Sequence, residues 1–152
     1  MSTNIIVGLA LLVGLVAYQI ISRQVQFRRL KHAWEEGHEA LRTERFEAAE
    51  SAFRRCVRVM PTWPNGRAML AVALTRRGKV DEAEEQWKMA AALEPKRAEG
   101  HLALALFYAG CVPPKAPEAA AAIAKALECD PQLREQLQND PRLADLRGMV
   151  KG

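Results

Sequence analysis

Two hydrophobic patterns divide the chain. Residues 5–17 read IIVGLALLVGLVA, Tyr18, Gln19, Ile20 and Ile21 follow, and no charged side chain precedes Arg23. A surface that is apolar all round does not suit a helix with one buried face. Residues 1–22 as a helix extend about 33 Å, close to the thickness of a hydrocarbon core of about 30 Å. The segment opens Met-Ser-Thr-Asn, without Lys or Arg, and offers no clear small-x-small cleavage site. It therefore reads as a retained transmembrane helix and not as a signal peptide. Ala10, Gly14 and Ala17 share one face of that helix, a small-residue face on which a second span packs closely.

From Leu30 the apolar positions recur every three or four residues, the period of packed helices. In residues 64–95, Leu70, Ala71 and Leu74 mark one face of a first helix. Gly78, Lys79 and Val80 turn the chain. Ala83, Trp87 and Ala90 mark a second helix, with Asp81 placed to cap it, and Pro95 ends it. Thirty-four residues upstream the same offsets hold Gly37, Phe46, Ala49, Phe53, Cys56 and Pro61. Thirty-four residues downstream lie Leu104, Ala105 and Tyr108; Ala119, Ile123, Ala126 and Pro131 come two residues late, after the turn CVPPKAP of residues 111–117.

A 34-residue helix–turn–helix with this spacing of Leu, small and Tyr, then Ala, aromatic, Ala and Pro, resembles the tetratricopeptide repeat (TPR). The resemblance covers residues 30–131, about two thirds of the chain. The first copy departs from it at Glu36 and Ala40, the third in its turn. It implies an all-α chain: an α-solenoid of three hairpins (30–131) after a transmembrane helix (1–22) and a basic juxtamembrane segment (23–29). Residues 132–152 complete it as capping helices and tail, with Leu133 and Leu137 in one short helix and Leu143 and Leu146 in a second.

Charge sharpens this division. Arg23, Arg28, Arg29 and Lys31 fall within nine residues without an acid among them, and they equal the net charge of +4. The remaining charges balance, so the basic character is a collar and not a nucleic-acid-binding surface. Basic residues flanking a span stay on the cytoplasmic side, which predicts an external N-terminus and cytoplasmic repeats. Arg54, Arg55 and Arg58, with Glu44, Glu47 and Glu50 nearby, read as a solvated outer face. Trp63, in an inter-repeat turn, reads as packing.

No motif for chemistry appears. His32, His38 and His101 have no partner at a catalytic spacing, and there is no phosphate loop or nucleophile motif. Cys56, Cys111 and Cys129 lack metal-ligand spacing and read as small hydrophobes. The expectation is a protein that is not an enzyme, without metal, cofactor or small-molecule substrate.

Solenoids of this kind bind partners along the concave surface of their first helices. Helical spacing places Trp34, His38 and Leu41 there in the first repeat. Ala68, Val72 and Thr75, with Arg76 at the edge, follow in the second, and Leu102, Leu106 and Ala109 in the third. TPR domains that hold the C-terminal carboxylate of heat-shock chaperones use Lys and Asn at sites where this chain has Trp34 and His38. A largely apolar groove suits an amphipathic helix, supplied by a partner or by the C-terminal leucines of the chain itself. The expected role is a membrane-anchored adaptor for protein partners. The alternatives are a periplasmic or lumenal assembly factor and a bracing subunit of a larger membrane complex.

Overall fold

The structure, a computed structural model, describes the backbone of residues 2–139 and of Leu146; the side chains of residues 2–6 and of Ala10 lie outside the described set. Among the described residues there are α-helices and no strand. The order is α1 (Ser2–Arg42), α2 (Phe46–Val59), α3 (Pro64–Arg76), α4 (Val80–Leu93), α5 (Ala98–Ala109), α6 (Ala116–Cys129) and α7 (Leu133–Asn139).

Helix α1 joins both sequence patterns. Its 41 residues run without a break for about 61 Å. Leu11, Val13 and Tyr18 stand clear of the rest of the chain, each about two-thirds exposed or more. Beyond Ser22 the helix gains a buried face: Leu30, Ala33, Gly37 and Ala40, spaced three and four apart, turn inward. The first helix of the first repeat is thus the C-terminal part of α1. Gly37 costs about 1 kcal/mol inside a helix. Its place is explained by Phe53: a Cβ at Gly37 would lie 2.6 Å from Cζ of that ring.

Three hairpins follow, α1–α2, α3–α4 and α5–α6, and adjacent hairpins meet through α2 with α3 and α4 with α5. One continuous core threads them, with Phe53, Leu74 and Ile123 fully buried. Each such side chain contributes about 1.5–3 kcal/mol of burial. The small partners Ala49, Ala83 and Ala119 are fully buried between them and let the backbones approach.

The turns show why the repeat tolerates divergence. Gly78 has φ +74, a left-handed conformation open to glycine, and Glu44, at the same place one repeat earlier, adopts φ 56. Asp81 is not a cap. Lys79 holds the N-cap position of α4 without a side-chain cap bond, and Asp81 lies in the first turn, where its charge complements the helix dipole.

At the far end α7 packs on α6. Leu133 is buried beside Ala98 and Ala126, while Leu137 and Leu146 join the main core. The array is therefore closed by apolar cover on its last hairpin. Leu143 lies outside the described residues.

Candidate functional site

The groove positions fall into two groups. His38, Thr75, Arg76 and Leu106 are exposed, Leu106 at 38%. Trp34, Leu41, Ala68, Val72 and Ala109 are half-buried, and of these Trp34, Leu41 and Ala109 pack on the core. His38, Val72 and Leu106 occupy equivalent positions of successive repeats, the first and last exposed and Val72 half-buried between them. Leu102 is half-buried, packed both on the main core and on the cluster of Ala98, Ala126 and Leu133.

Trp34 and His38 belong to an aromatic cluster. The Trp34 ring lies 4.4 Å from His38, 4.4 Å from Trp63 and 5.7 Å from Phe53. His38 lies 5.6 Å from Phe53 at 87°, edge to face. Trp63 therefore packs, closing the step between the first two hairpins, and Trp34, expected in the groove, is held in this cluster.

A second feature was missed by local sequence reading. Glu50 is buried, not solvated. Its carboxylate accepts hydrogen bonds from Lys79 at 3.0 Å, Arg54 at 2.8 Å and Arg77 at 2.5 Å. Arg54 also reaches Glu82 at 2.5 Å. One repeat on, Glu84 accepts from Lys115 at 2.5 Å and pairs with Lys88 at 2.6 Å, while the Tyr108 hydroxyl donates to it at 3.2 Å. Burial raises the Glu50 carboxyl, but the hydrogen bonds of Lys79, Arg54 and Arg77 outweigh it and hold it at about 2. Lys115 and then Lys88 bring Glu84 to about 2 against the effect of burial. These are ties between repeats. The signal was available: Glu50 and Glu84 are 34 apart, and each is answered by the basic residue that precedes the next second helix.

The collar residues Arg23, Arg28, Arg29 and Lys31 are all exposed on α1. Lys31 pairs with Glu35 at 3.8 Å, and Arg28 and Arg29 turn toward α2. Gly14 has open space around its Cβ position and Ala17 is exposed; the side chain of Ala10 lies outside the described residues. Among the described residues no group of His, Cys, Asp and Glu is arranged to hold a metal. Cys56 and Cys111 are buried, and burial pushes both thiols up.

This architecture is a TPR-like stack of helix hairpins. The chain is similar to the TPR domain of OM64 from Arabidopsis: 17% identity, 82% of this chain and 96% of that one, TM-score 0.65. It is similar to a second TPR domain of yeast Sti1, solved with an Hsp70 peptide, at 17% identity, 77% and 94% coverage and TM-score 0.64. MamA is 28% identical over 68% of this chain and 59% of its own, with TM-score 0.59. No protein-family model matches the sequence, and no curated protein matches it.

Proposed function

We propose that this chain is a non-catalytic adaptor, anchored by the N-terminal half of α1 in a membrane, with its repeats in the cytoplasm and its groove open to a helical segment of a partner protein. The observation that carries the reading is the strip of exposed His38, half-buried Val72 and exposed Leu106, which stays open to solvent beside a closed core. The anchor is supported by α1, long and apolar enough to cross a membrane, with its apolar side chains exposed. The basic collar on its C-terminal flank supports cytoplasmic repeats.

Peptide-bound TPR neighbours support a groove that holds peptides. Trp34 and His38 stand where carboxylate-clamping domains place Lys and Asn, so an apolar helix face is the better ligand than an acidic tail. Affinity capture with the full chain in mild detergent, beside Leu106→Asp, tests the proposal. A partner retained by the native chain and lost with the variant supports it; equal recovery rejects the groove.

A further inference from the structure

We infer that the cleft between α1 and α2 is a site for a phosphate-bearing anion, and that its occupant is the headgroup of an anionic phospholipid. The cleft has a volume of about 560 Å³ and is lined by Arg28, Arg29 and His32 of α1 and by Arg55 and Arg58 of α2. No acid lines it. The carboxylate of Glu36 is engaged by two of the lining residues, Arg55 at 2.6 Å and His32 at 3.6 Å. Arg28, Arg29 and Arg58 have no ion-pair partner among the described residues. Nε of Arg55 is buried without an acceptor. A buried donor left without an acceptor is destabilising, and an oxyanion in the cleft would satisfy it. Guanidinium forks match phosphate oxygens in geometry as well as charge.

Position selects a lipid over a soluble phosphate. This step rests on the proposed anchor. With the hydrocarbon core ending near Ser22, unbroken helix carries Arg28 about 9 Å further. Helical side chains lean toward the N-terminus, so Arg28 and Arg29 reach back to the headgroup layer. Val59 lines the cleft, and exposed Phe27 and Met60 adjoin its lining residues in sequence, so apolar surface lies next to the charge, as an interface requires. The sequence alone showed a collar on one helix; the fold adds Arg55 and Arg58 from another.

Native mass spectrometry of the full chain, released from discs of phosphatidylcholine containing a minority of phosphatidylglycerol, tests this. The native chain is expected to retain phosphatidylglycerol over phosphatidylcholine, and Arg29→Gln with Arg58→Gln to lower that preference about fivefold per arginine. Both residues are exposed and unpaired, so the fold is left alone; Lys125→Gln, a distant exposed charge, leaves the preference unchanged. Equal retention of the two lipids, or an unchanged preference in the double variant, overturns the inference. Shifts of the Arg55 Nε–H signal on adding inorganic phosphate, without lipid preference, assign the cleft to soluble phosphate and overturn the headgroup. Alkaline carbonate washing from pure phosphatidylcholine vesicles separates the two readings. A chain that washes off rejects the anchor and the headgroup together, whereas one that resists washing but shows no preference rejects the headgroup alone.

Discussion

Lys79 Nζ lies 3.0 Å from the buried carboxylate of Glu50, 29 residues earlier, and Lys115 repeats the relationship with Glu84 one hairpin later. Both lysines hold the N-cap position of a second helix, so each pair ties one hairpin to the next. Removing one partner of a buried pair costs about 3–5 kcal/mol. Arg77 and Lys79 retain 28% and 35% exposure and regain part of their hydration, so Glu50→Gln is expected to cost about 2 kcal/mol. Glu84→Gln, at a more exposed site, is expected to cost about 1 kcal/mol. Urea unfolding of the full chain in neutral detergent measures both, and an unchanged midpoint for Glu50→Gln would refute the tie.

Acid should reveal the same pairs. Folded Glu50 and Glu84 both titrate at about 2. Unfolded glutamates titrate near about 4.3. The unfolded chain therefore binds protons first as pH falls. The stabilisation is complete above the unfolded value and drains away as pH drops toward the folded value. Urea midpoints followed from pH 5 to about 2 should fall more steeply for the native chain than for Glu50→Gln with Glu84→Gln. Parallel curves would mean that other carboxylates govern the acid limb.

Glu44 carries a local strain that Gly78 avoids. At φ 56, a side chain crowds the backbone, at a cost of about 1 kcal/mol. Glu44 is exposed, so Glu44→Gly is expected to raise stability by about 0.5–1 kcal/mol, and Gly78→Ala to lower it by about 1 kcal/mol. Matched thermal unfolding curves decide this; a loss of stability for Glu44→Gly would show that its side chain has a role in the turn.

The residues that were legible in the sequence are those whose role is written in periodicity. Phe53, Trp87 and Ile123 recur at the same place in three hairpins, and Gly37, Ala71 and Ala105 give them room. Leu133 and Leu137 were legible for the same reason. Glu50 was not, because a glutamate among arginines looks solvated until the next hairpin covers it. Leu102 has the spacing of a groove residue, yet packing on the core and on the cluster of Ala98, Ala126 and Leu133 half-buries it. Arg55 and Arg58 share a cleft with Arg28 and Arg29 only once α2 folds back along α1. Long-range pairing of charge is a property of the stack and not of any single helix.

Within the groove, two substitutions should separate contact from construction. Leu106 is exposed on α5, so Leu106→Asp is expected to change stability by less than about 0.5 kcal/mol while abolishing partner capture. Trp34→Ala opens a gap between Trp63, Phe53 and His38 and is expected to cost about 2 kcal/mol as well as binding. Differential scanning calorimetry paired with the capture assay distinguishes them. If Leu106→Asp captures the partner as well as the native chain, the groove is not the binding surface.

Topology needs a thiol that can be reached. Cys111 is unsuitable, since its sulfur donates to the Phe107 carbonyl at 3.3 Å and burial keeps the thiol protonated. Val112, next to it, is 98% exposed. With the native cysteines changed to Ser or Ala, Val112→Cys offers one open site on the third hairpin. Cytoplasmic repeats predict no reaction with a membrane-impermeant maleimide in intact cells and full reaction after permeabilisation. Labelling in intact cells would place the repeats outside and favour the assembly-factor reading. The arginines of the collar would then have crossed the membrane, against the usual retention of positive charge. A chain that labels only in the soluble fraction of lysed cells would instead remove the span itself. The groove would remain, but the phospholipid assigned to the cleft would lose the geometry that selects it.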